Sequence, residues 1–159
     1  MNTKNENKLI SVIIPFYKEV DLIGMAVESV VMQQLPSNYS LEIVVGNDSE
    51  LSEEQLYECI PQHIKAITKI AKNTNAKGAG NARNAALGCS VGDVIAFLDA
   101  DDLWCSEEKL KTQISLIQKG AKFVVSGYRN NFNGKELIPF DVINSAHEVL
   151  GRSLEGPRG

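Results

Sequence analysis

The stretch that decides the fold is VIAFLDADDLW, residues 94–104. Its short apolar run leads directly into three aspartates, Asp99, Asp101 and Asp102, and then into the only tryptophan of the chain, Trp104. Such a run is typical of a buried strand in a parallel sheet. Parallel sheets bind ligands at the carboxyl ends of their strands. Neighbouring carboxylates repel one another, so a cation or ample water is expected among these three.

Apolar runs and helical patterns alternate along the rest of the chain. The predicted strands cover residues 9–16, 41–45, 64–70, 94–99 and 122–128. Strands that alternate with helices predict an α/β fold, a mostly parallel sheet with helices on both faces. A later segment with Asn133 and Gly134 at its centre predicts an added hairpin.

Capping residues mark the predicted helices. Asp21 is placed to cap the first helix, and Ser52 with Gln55 forms a capping-box pattern for the second. A helix of small residues is predicted over 80–88, with Gly88 closing it. The last predicted helix begins near Ser106, with acidic residues near its amino end, and stops at Gly120.

The composition excludes several classes of protein. The chain has 159 residues, a net charge of −4 and an isoelectric point near 5.2, which argues against nucleic-acid binding. No apolar run approaches the roughly 20 residues that span a bilayer, so no transmembrane segment is expected. We expect a cytoplasmic protein, whose longer parent could still associate with a membrane. Cys59, Cys89 and Cys105 lack the spacing of a zinc site or disulfide framework and are expected to be reduced.

The acidic stretch suggests a metal site. In an extended chain Asp99 and Asp101 project to the same side, while Ala100 faces the other way. Two carboxylates suit Mg²⁺ or Mn²⁺, which fills its remaining positions with water and phosphate oxygens. A solvated turn, in which Asp102 satisfies nearby backbone donors, is an equally good explanation of this stretch alone. An EF-hand is disfavoured because the loop lacks the required glycine.

A second motif is NAKGAGNARNAALG, residues 75–88. Gly78 and Gly80 permit tight turns, and Arg83 offers a planar fork of donors for a phosphate, carbonyl or carboxylate. The motif does not fit a dinucleotide fingerprint, because Arg83 occupies the third glycine position. Packing glycines beside a surface arginine remain an alternative.

Two further stretches end predicted strands. In VVGNDSE, Asn47 and Asp48 enter the expected crevice, where a carboxylate could accept a hydrogen bond from a nucleobase N–H. An Asx turn explains them equally well. In PFYKE, Pro15 ends the first strand and Tyr17 could stack on a base, although an ordinary half-buried tyrosine is the alternative.

In this order, SVIIPFYKE, EIVVGNDSE, GAGNARNAALG and GDVIAFLDADDLW resemble the N-terminal half of a family 2 inverting glycosyltransferase with the GT-A fold. The resemblance covers about residues 9–128. It implies that the nucleotide of the donor is bound by eight positions of this sequence: Pro15, Tyr17, Glu19, Asp48, Arg83, Asp99, Ala100 and Asp101.

The resemblance also implies individual roles. Asp99 and Asp101 match the DxD pair, with Asp101 the stronger candidate for the metal and Asp99 nearer the ribose. Asp48 matches the aspartate that reads the base, although Asn47 could occupy that register. Lys18 stands where the family frequently has asparagine.

The implied reaction transfers a sugar from a nucleotide diphosphate donor, most often UDP-linked, to a hydroxyl of a glycan or lipid-linked acceptor. It proceeds with inversion, uses Mg²⁺ or Mn²⁺ and serves cell-surface polysaccharide synthesis; a homodimer is a further expectation. Asp141, Glu148 and Glu155 lie in no recognisable base motif. The sequence therefore predicts an incomplete, truncated donor-binding domain over 1–140 and a weakly structured segment over 141–159.

Two other functions remain open from the sequence. The first is a non-catalytic nucleotide-binding module or an inactive truncated fragment, which the missing base motif favours. The second is a sugar-nucleotide pyrophosphorylase, which is disfavoured because PFYKEVDL supplies no glycine-rich loop after the first strand.

Overall fold

The computed structural model describes residues 6–127, which contain a four-stranded parallel sheet. Its strands follow the order β3-β2-β1-β4 and are β1 (Lys8–Phe16), β2 (Tyr39–Asn47), β3 (Thr68–Lys72) and β4 (Val94–Phe97). β1 and β2 pair over nine residues, from Lys8 opposite Tyr39 to Phe16 opposite Asn47. The predicted α/β class and the mostly parallel sheet are confirmed.

Helices connect and follow these strands. They are α1 (Ile23–Val31), α2 (Glu53–Glu58), α3 (Ala79–Cys89) and α4 (Lys109–Gln118). The chain divides into two compact units at Glu108, so α4 belongs to the second unit. Among the described residues, no helix has the length and apolar character needed to cross a membrane. The hairpin at Asn133, the boundary at 140 and the segment 141–159 lie outside the described residues.

The core of the first unit lies on both faces of the sheet. Ile13 of β1 packs with Val44, Ala71 and Ala86, so α3 covers one face. The opposite face is covered as well, because the residues that alternate with these along the strands are fully buried: Val12, Ile14, Ile43 and Val45.

α3 approaches β2 very closely. A Cβ atom added to Gly46 would lie 2.0 Å from the carbonyl oxygen of Ala82, so the two backbones touch. Ala82 and Ala86, both fully buried, make this approach possible. As a result the amino end of α3 is positioned against the carboxyl end of β2.

The buried carboxylate of Glu42, on β2, connects three neighbouring strands on the face of the sheet that α3 covers. Glu42 accepts hydrogen bonds from Ser11 Oγ (2.5 Å) and from the N–H of Val91 (2.8 Å), and it pairs with Lys69 Nζ at 2.7 Å. The loop before β4 packs tightly here, since a Cβ on Gly92 would lie 2.5 Å from Ser11 Oγ. This Glu42 network therefore fixes β1, β2, β3 and the loop before β4 together.

Of the two predicted helix caps, that of α1 is wrong and that of α2 is confirmed. Asp21 does not cap α1, which begins at Ile23 after Leu22 with no side-chain cap. The carbonyl of Glu19 accepts the N–H groups of Leu22 and Ile23, so the chain is already turning before the helix. The capping box of Ser52 and Gln55 is confirmed.

Two predictions in the middle of the chain were wrong in detail. The third strand begins at Thr68, because residues 65–67 form a 3₁₀ turn in which Thr68 Oγ1 donates to the carbonyl of Ile64. Gly88 does not close α3, which continues to Cys89. Gly120, with φ of 105°, does follow α4 as predicted.

The later boundaries also needed correction. β4 ends at Phe97, its last pairing with Ile13, rather than at residue 99. α4 begins at Lys109 rather than near Ser106, whose side chain accepts the N–H of Glu108. The predicted fifth strand is wrong over 122–127, where the described backbone forms no ladder; its last residue, Tyr128, lies outside the described part. Apolar, β-branched residues favour a strand only where a neighbouring strand pairs with them.

Candidate functional site

The carboxyl ends of the four parallel strands meet at one edge of the sheet. The chain segments that follow them carry nearly all the residues singled out in the sequence, including Tyr17 after β1, Asp48 after β2 and Asp99 after β4. Arg83 comes from α3, which the contact at Gly46 holds close to the same edge. Pro15 is buried within β1, one residue before its end.

A cavity of about 270 Å³ opens among three of these segments. Its lining residues are Tyr17, Lys18, Val20, Ser49, Glu50, Leu51 and Lys77. The exposed ring of Tyr17 has the ammonium of Lys18 at 4.8 Å from its centroid and that of Lys77 at 5.5 Å. The cavity therefore combines an aromatic face with positive charge, which suits a planar ring attached to an anionic group.

Glu19 organises the turn that carries Tyr17. Its Oε2 accepts the N–H groups of Tyr17 (2.8 Å) and Lys18 (2.9 Å). Partial burial acts to raise the pKa of Glu19, but these hydrogen bonds and the Lys18 charge outweigh it and lower the pKa. The Glu19 carboxylate therefore accepts hydrogen bonds from the backbone of the turn. Its contact with a ligand stays a prediction.

Asp48 is buried, and both oxygens of its carboxylate accept hydrogen bonds within the protein. Oδ1 accepts from Asn73 Nδ2 at 2.6 Å, and Oδ2 accepts the N–H of Gly78 at 2.8 Å. The Asn73 hydrogen bond is the main reason why the pKa of Asp48 is lowered, against the effect of burial. Asp48 therefore ties the loop after β2 to the end of β3 and to the start of α3.

Asn47 is committed to the loop that follows it. Its Oδ1 accepts from the N–H and hydroxyl of Ser49, and its Nδ2 donates to the carbonyl of Leu51. The Asx turn considered from the sequence is therefore present. With its side chain buried and all these bonds internal, Asn47 has a structural role.

Arg83 and Asp99 form an ion pair at the sheet edge. Arg83 Nη2 lies 2.5 Å from Asp99 Oδ1, and both side chains are partly exposed. The arginine fork predicted to bind an anion is thus oriented by a carboxylate of the acidic stretch.

The acidic stretch is a turn rather than a continuation of β4. The N–H of Asp102 donates to the carbonyl of Asp99 at 3.0 Å, so the prediction that Asp99 and Asp101 project together from an extended strand rests on the wrong conformation. Ala100 is buried, whereas Asp101 and Asp102 are exposed. Burial first, and then the charges of Asp101 and Asp99, raise the pKa of Asp102.

The donors present fit a divalent cation only in part. Within residues 6–127, no three His, Cys, Asp or Glu side chains converge into a set that could hold a metal ion. The repulsion felt by Asp102 is nevertheless what a nearby cation would relieve. Asp101 and Asp99 would supply at most two carboxylates, and Mg²⁺ or Mn²⁺ completes its coordination with water and phosphate oxygens.

Several residues of this sheet edge could not be recognised from the sequence. Glu50 and Lys77 line the cavity and form an ion pair at 2.5 Å. They lie within VVGNDSE and within residues 75–88, but they come from different loops and neither pattern singles them out. Gly46 is required by the approach of Ala82, a contact between segments that no local pattern reveals. Asn73 lies in a stretch without any recognisable signal.

The family model of glycosyl transferase family 2 matches residues 11–150. The chain belongs to this family. It is 34% identical over 139 residues to the UDP-Glc:alpha-D-GlcNAc-diphosphoundecaprenol beta-1,3-glucosyltransferase WfgD of Escherichia coli, covering 84% of this chain and 53% of WfgD. It is 35% identical over 149 residues to the putative teichuronic acid biosynthesis glycosyltransferase TuaG of Bacillus subtilis, covering 92% of this chain and 56% of TuaG.

Solved structures show the same fold. S. aureus TarS 1–349 in complex with UDP matches 81% of this family 2 chain and 38% of its own length, with a TM-score of 0.60 and 27% identity. The mannosyltransferase PcManGT of Pyrobaculum calidifontis, in complex with GDP-Man and Mn²⁺, matches with the same TM-score at 21% identity, covering 76% of this chain and 35% of its own. The chain spans about half the length of the curated relatives it matches. The predicted GT-A fold and family are confirmed.

Proposed function

We propose that this chain is the donor-binding part of a glycosyltransferase. The proposed reaction transfers a sugar from a UDP-linked donor to an acceptor hydroxyl, with inversion. The observation that carries the proposal is the meeting, at one sheet edge, of a cavity lined by Tyr17 and an acidic turn held by Arg83. An aromatic face with lysines suits a nucleobase, and exposed carboxylates suit a metal-bound diphosphate.

The relatives support the choice of donor and acceptor. WfgD is named for UDP-Glc and for an acceptor on diphosphoundecaprenol, and TarS has been solved with UDP and with UDP-GlcNAc. We therefore propose a UDP-sugar donor and a glycan on a lipid-linked acceptor, within cell-surface polysaccharide synthesis. The homodimer stays a prediction.

In this proposal, the residues at the sheet edge have separate roles in binding the donor. The Tyr17 ring stacks on the base, while Glu19 fixes the turn that presents the ring. Asp99, oriented by Arg83, accepts a hydrogen bond from a ribose hydroxyl. Pro15 and Ala100, both buried, shape the backbone around the nucleotide rather than contacting it through polar groups.

Asp101 would hold Mg²⁺ or Mn²⁺, with Asp99 as a second ligand. Asp101 is the better placed of the two, because it is exposed while Asp99 Oδ1 is already bound to Arg83. When bound, the cation offsets the negative charge that builds on the departing diphosphate.

The acceptor hydroxyl must lose a proton to a general base, in this family reaction a carboxylate. We assign that role to none of residues 6–127. A nucleotide-binding module without catalysis is therefore the second candidate function, and the lack of a base motif in the sequence favours it.

We also propose a cytoplasmic location. All three cysteines lie within the described residues and are unpaired. Free thiols are typical of a reducing compartment.

Calorimetric titration of UDP, GDP and dTDP, each with and without Mn²⁺, tests donor binding. We expect UDP to bind in a manganese-dependent way and the Asp101→Ala variant to lose that dependence, because the variant removes a metal ligand. Glu58→Ala is the control, since this exposed carboxylate pairs with Lys65 away from the cavity.

The proposal fails if no nucleotide binds, or if UDP binds equally well without metal and in the Asp101→Ala variant. A transfer assay with UDP-glucose on the same sample then separates the two functions. Sugar transfer supports the enzyme, whereas binding without transfer or hydrolysis supports the non-catalytic module.

A further inference from the structure

The carboxylate expected to read the nucleobase is already bound within the protein. Asp48 is 8% exposed and does not line the cavity beside Tyr17. Its two oxygens accept hydrogen bonds from Asn73 and from the backbone N–H of Gly78. Breaking the contact with Asn73 to reach a ligand would leave a buried donor unsatisfied, which is costly.

Glu50, two residues further on, is the carboxylate that does line this cavity. Its Oε1 lies 2.5 Å from Lys77 Nζ, which stands near the Tyr17 ring. Its Oε2 makes no hydrogen bond within the described residues, and the side chain is 86% exposed. One oxygen of Glu50 is therefore anchored and the other is available to a ligand.

We propose that Glu50, rather than Asp48, is the specificity-determining residue that accepts the hydrogen bond of the base ring N–H. This inference rests on the proposed function and assigns the base-reading role within it. Lys77 is the positioning residue, because its ammonium fixes one oxygen of the carboxylate.

The chemistry of the pair suits uracil. A carboxylate only accepts hydrogen bonds and an ammonium only donates them. Uracil presents a ring N–H flanked by two carbonyl oxygens, so Glu50 can accept from the N–H while Lys77 donates to a neighbouring carbonyl. The hydrogen bond with Lys77, together with the Lys77 and Lys72 charges, lowers the pKa of Glu50.

The test compares UDP with N3-methyl-UDP, which lacks the ring N–H. Both are titrated calorimetrically in the presence of Mn²⁺. The wild-type chain is expected to bind UDP about tenfold more tightly than the methylated analogue, the usual effect of one charge-assisted hydrogen bond. In Glu50→Ala this ratio should fall to about two or less.

Two further variants complete the experiment. Glu58→Ala removes a carboxylate of similar exposure, 82%, outside the cavity and should keep the full ratio. Asp48→Asn tests the competing assignment and should also keep the ratio if it folds, although weaker binding of both nucleotides is expected from its disturbed loop.

The outcomes separate this inference from the proposed function. If Glu50→Ala keeps a tenfold preference while the wild type binds UDP, Glu50 does not read the base and the proposed function still stands. A wild type that binds both nucleotides equally also overturns the role of Glu50. A wild type that binds neither nucleotide overturns both proposals.

Discussion

At the scale of single residues, the strictest requirements fall on positions that have no side chain. Gly46 and Gly92 lie where a Cβ atom would overlap neighbouring atoms, at 2.0 Å from Ala82 O and 2.5 Å from Ser11 Oγ. Gly80, in contrast, has open space around it, while Gly78 adopts φ of 143°. Different glycines therefore serve different purposes, namely close approach at two positions and an unusual backbone conformation at another.

We predict that Gly46→Ala destabilises the fold strongly. The new methyl group would meet the backbone of Ala82, which cannot rotate away, so we expect a loss of about 3 kcal/mol or a failure to fold. Gly88→Ala in α3 is the matched control. It has nothing within 4 Å and should stabilise the protein by about 0.5–1 kcal/mol through helix propensity. Urea unfolding at pH 7 measures both, and similar effects of the two would contradict the contact at Gly46.

Site residues could be predicted where they belong to a motif. The sequence predicts Tyr17, Arg83 and Asp99 as site residues, and the structure brings all three to the same sheet edge. Their ligand roles stay predictions. Glu50 and Lys77 could not be found in this way, because their pairing depends on how two loops of separate strands approach each other.

At the scale of elements, the helices differ in how they begin. α2 has a complete capping box, in which Ser52 Oγ accepts the N–H of Gln55 and Gln55 Oε1 accepts the N–H of Ser52. α1 has no side-chain cap, and a carbonyl of the preceding turn, that of Glu19, accepts the first N–H groups. A good capping residue near a helix therefore need not be the residue that caps it.

The two helix starts predict different effects of alanine substitution on the free energy of unfolding. Ser52→Ala should lower the free energy of unfolding by about 1 kcal/mol, because it removes the side-chain acceptor of the capping box. Asp21→Ala should change it by less than about 0.5 kcal/mol, because Asp21 is exposed and caps nothing. Thermal or urea unfolding of both variants decides the matter; an equal loss in both would mean that Asp21 does cap α1.

The types of the elements were more predictable than their ends. The apolar runs of β1 and β2 are long enough to identify buried strands, and both exist close to the predicted places. The segment IKAITKI, residues 64–70, carries β-branched residues in both halves, which favour a strand. Turn bonds such as that from Ile64 N–H to the Pro61 carbonyl nevertheless hold its first half in a different conformation. Local hydrogen bonds of this kind are invisible in a pattern of apolar residues.

At the scale of the whole first unit, the Glu42 network makes stability depend on pH. Burial raises the pKa of Glu42, but the hydrogen bonds from Lys69, Ser11 and the Val91 N–H outweigh it and lower the pKa. A carboxyl whose pKa is lowered by folding stabilises the protein above its unfolded pKa, about 4.3 for glutamate, and this contribution is lost as the pH falls further.

We predict that Glu42→Gln is less stable than the wild type by about 2 kcal/mol at pH 6, since it removes charge-assisted hydrogen bonds from a buried position. The difference should shrink as the pH is lowered from 5 towards 3, where the wild-type carboxylate becomes protonated. Urea unfolding at pH 6 and pH 3.5 measures the two gaps. Glu58→Gln, on an exposed ion pair, should change stability little. A Glu42→Gln gap that stays constant with pH would contradict the network.

The bonds from Asn73 and Gly78 to Asp48 have a consequence for the thermodynamics of ligand binding. They anchor the loop after β2 in the free protein, together with the bond from Lys72 Nζ to the Ser49 carbonyl. The conformational entropy of that loop is therefore given up when the chain folds and not when a ligand arrives. A preorganised wall of this kind lets a small nucleotide bind with little further ordering of the protein.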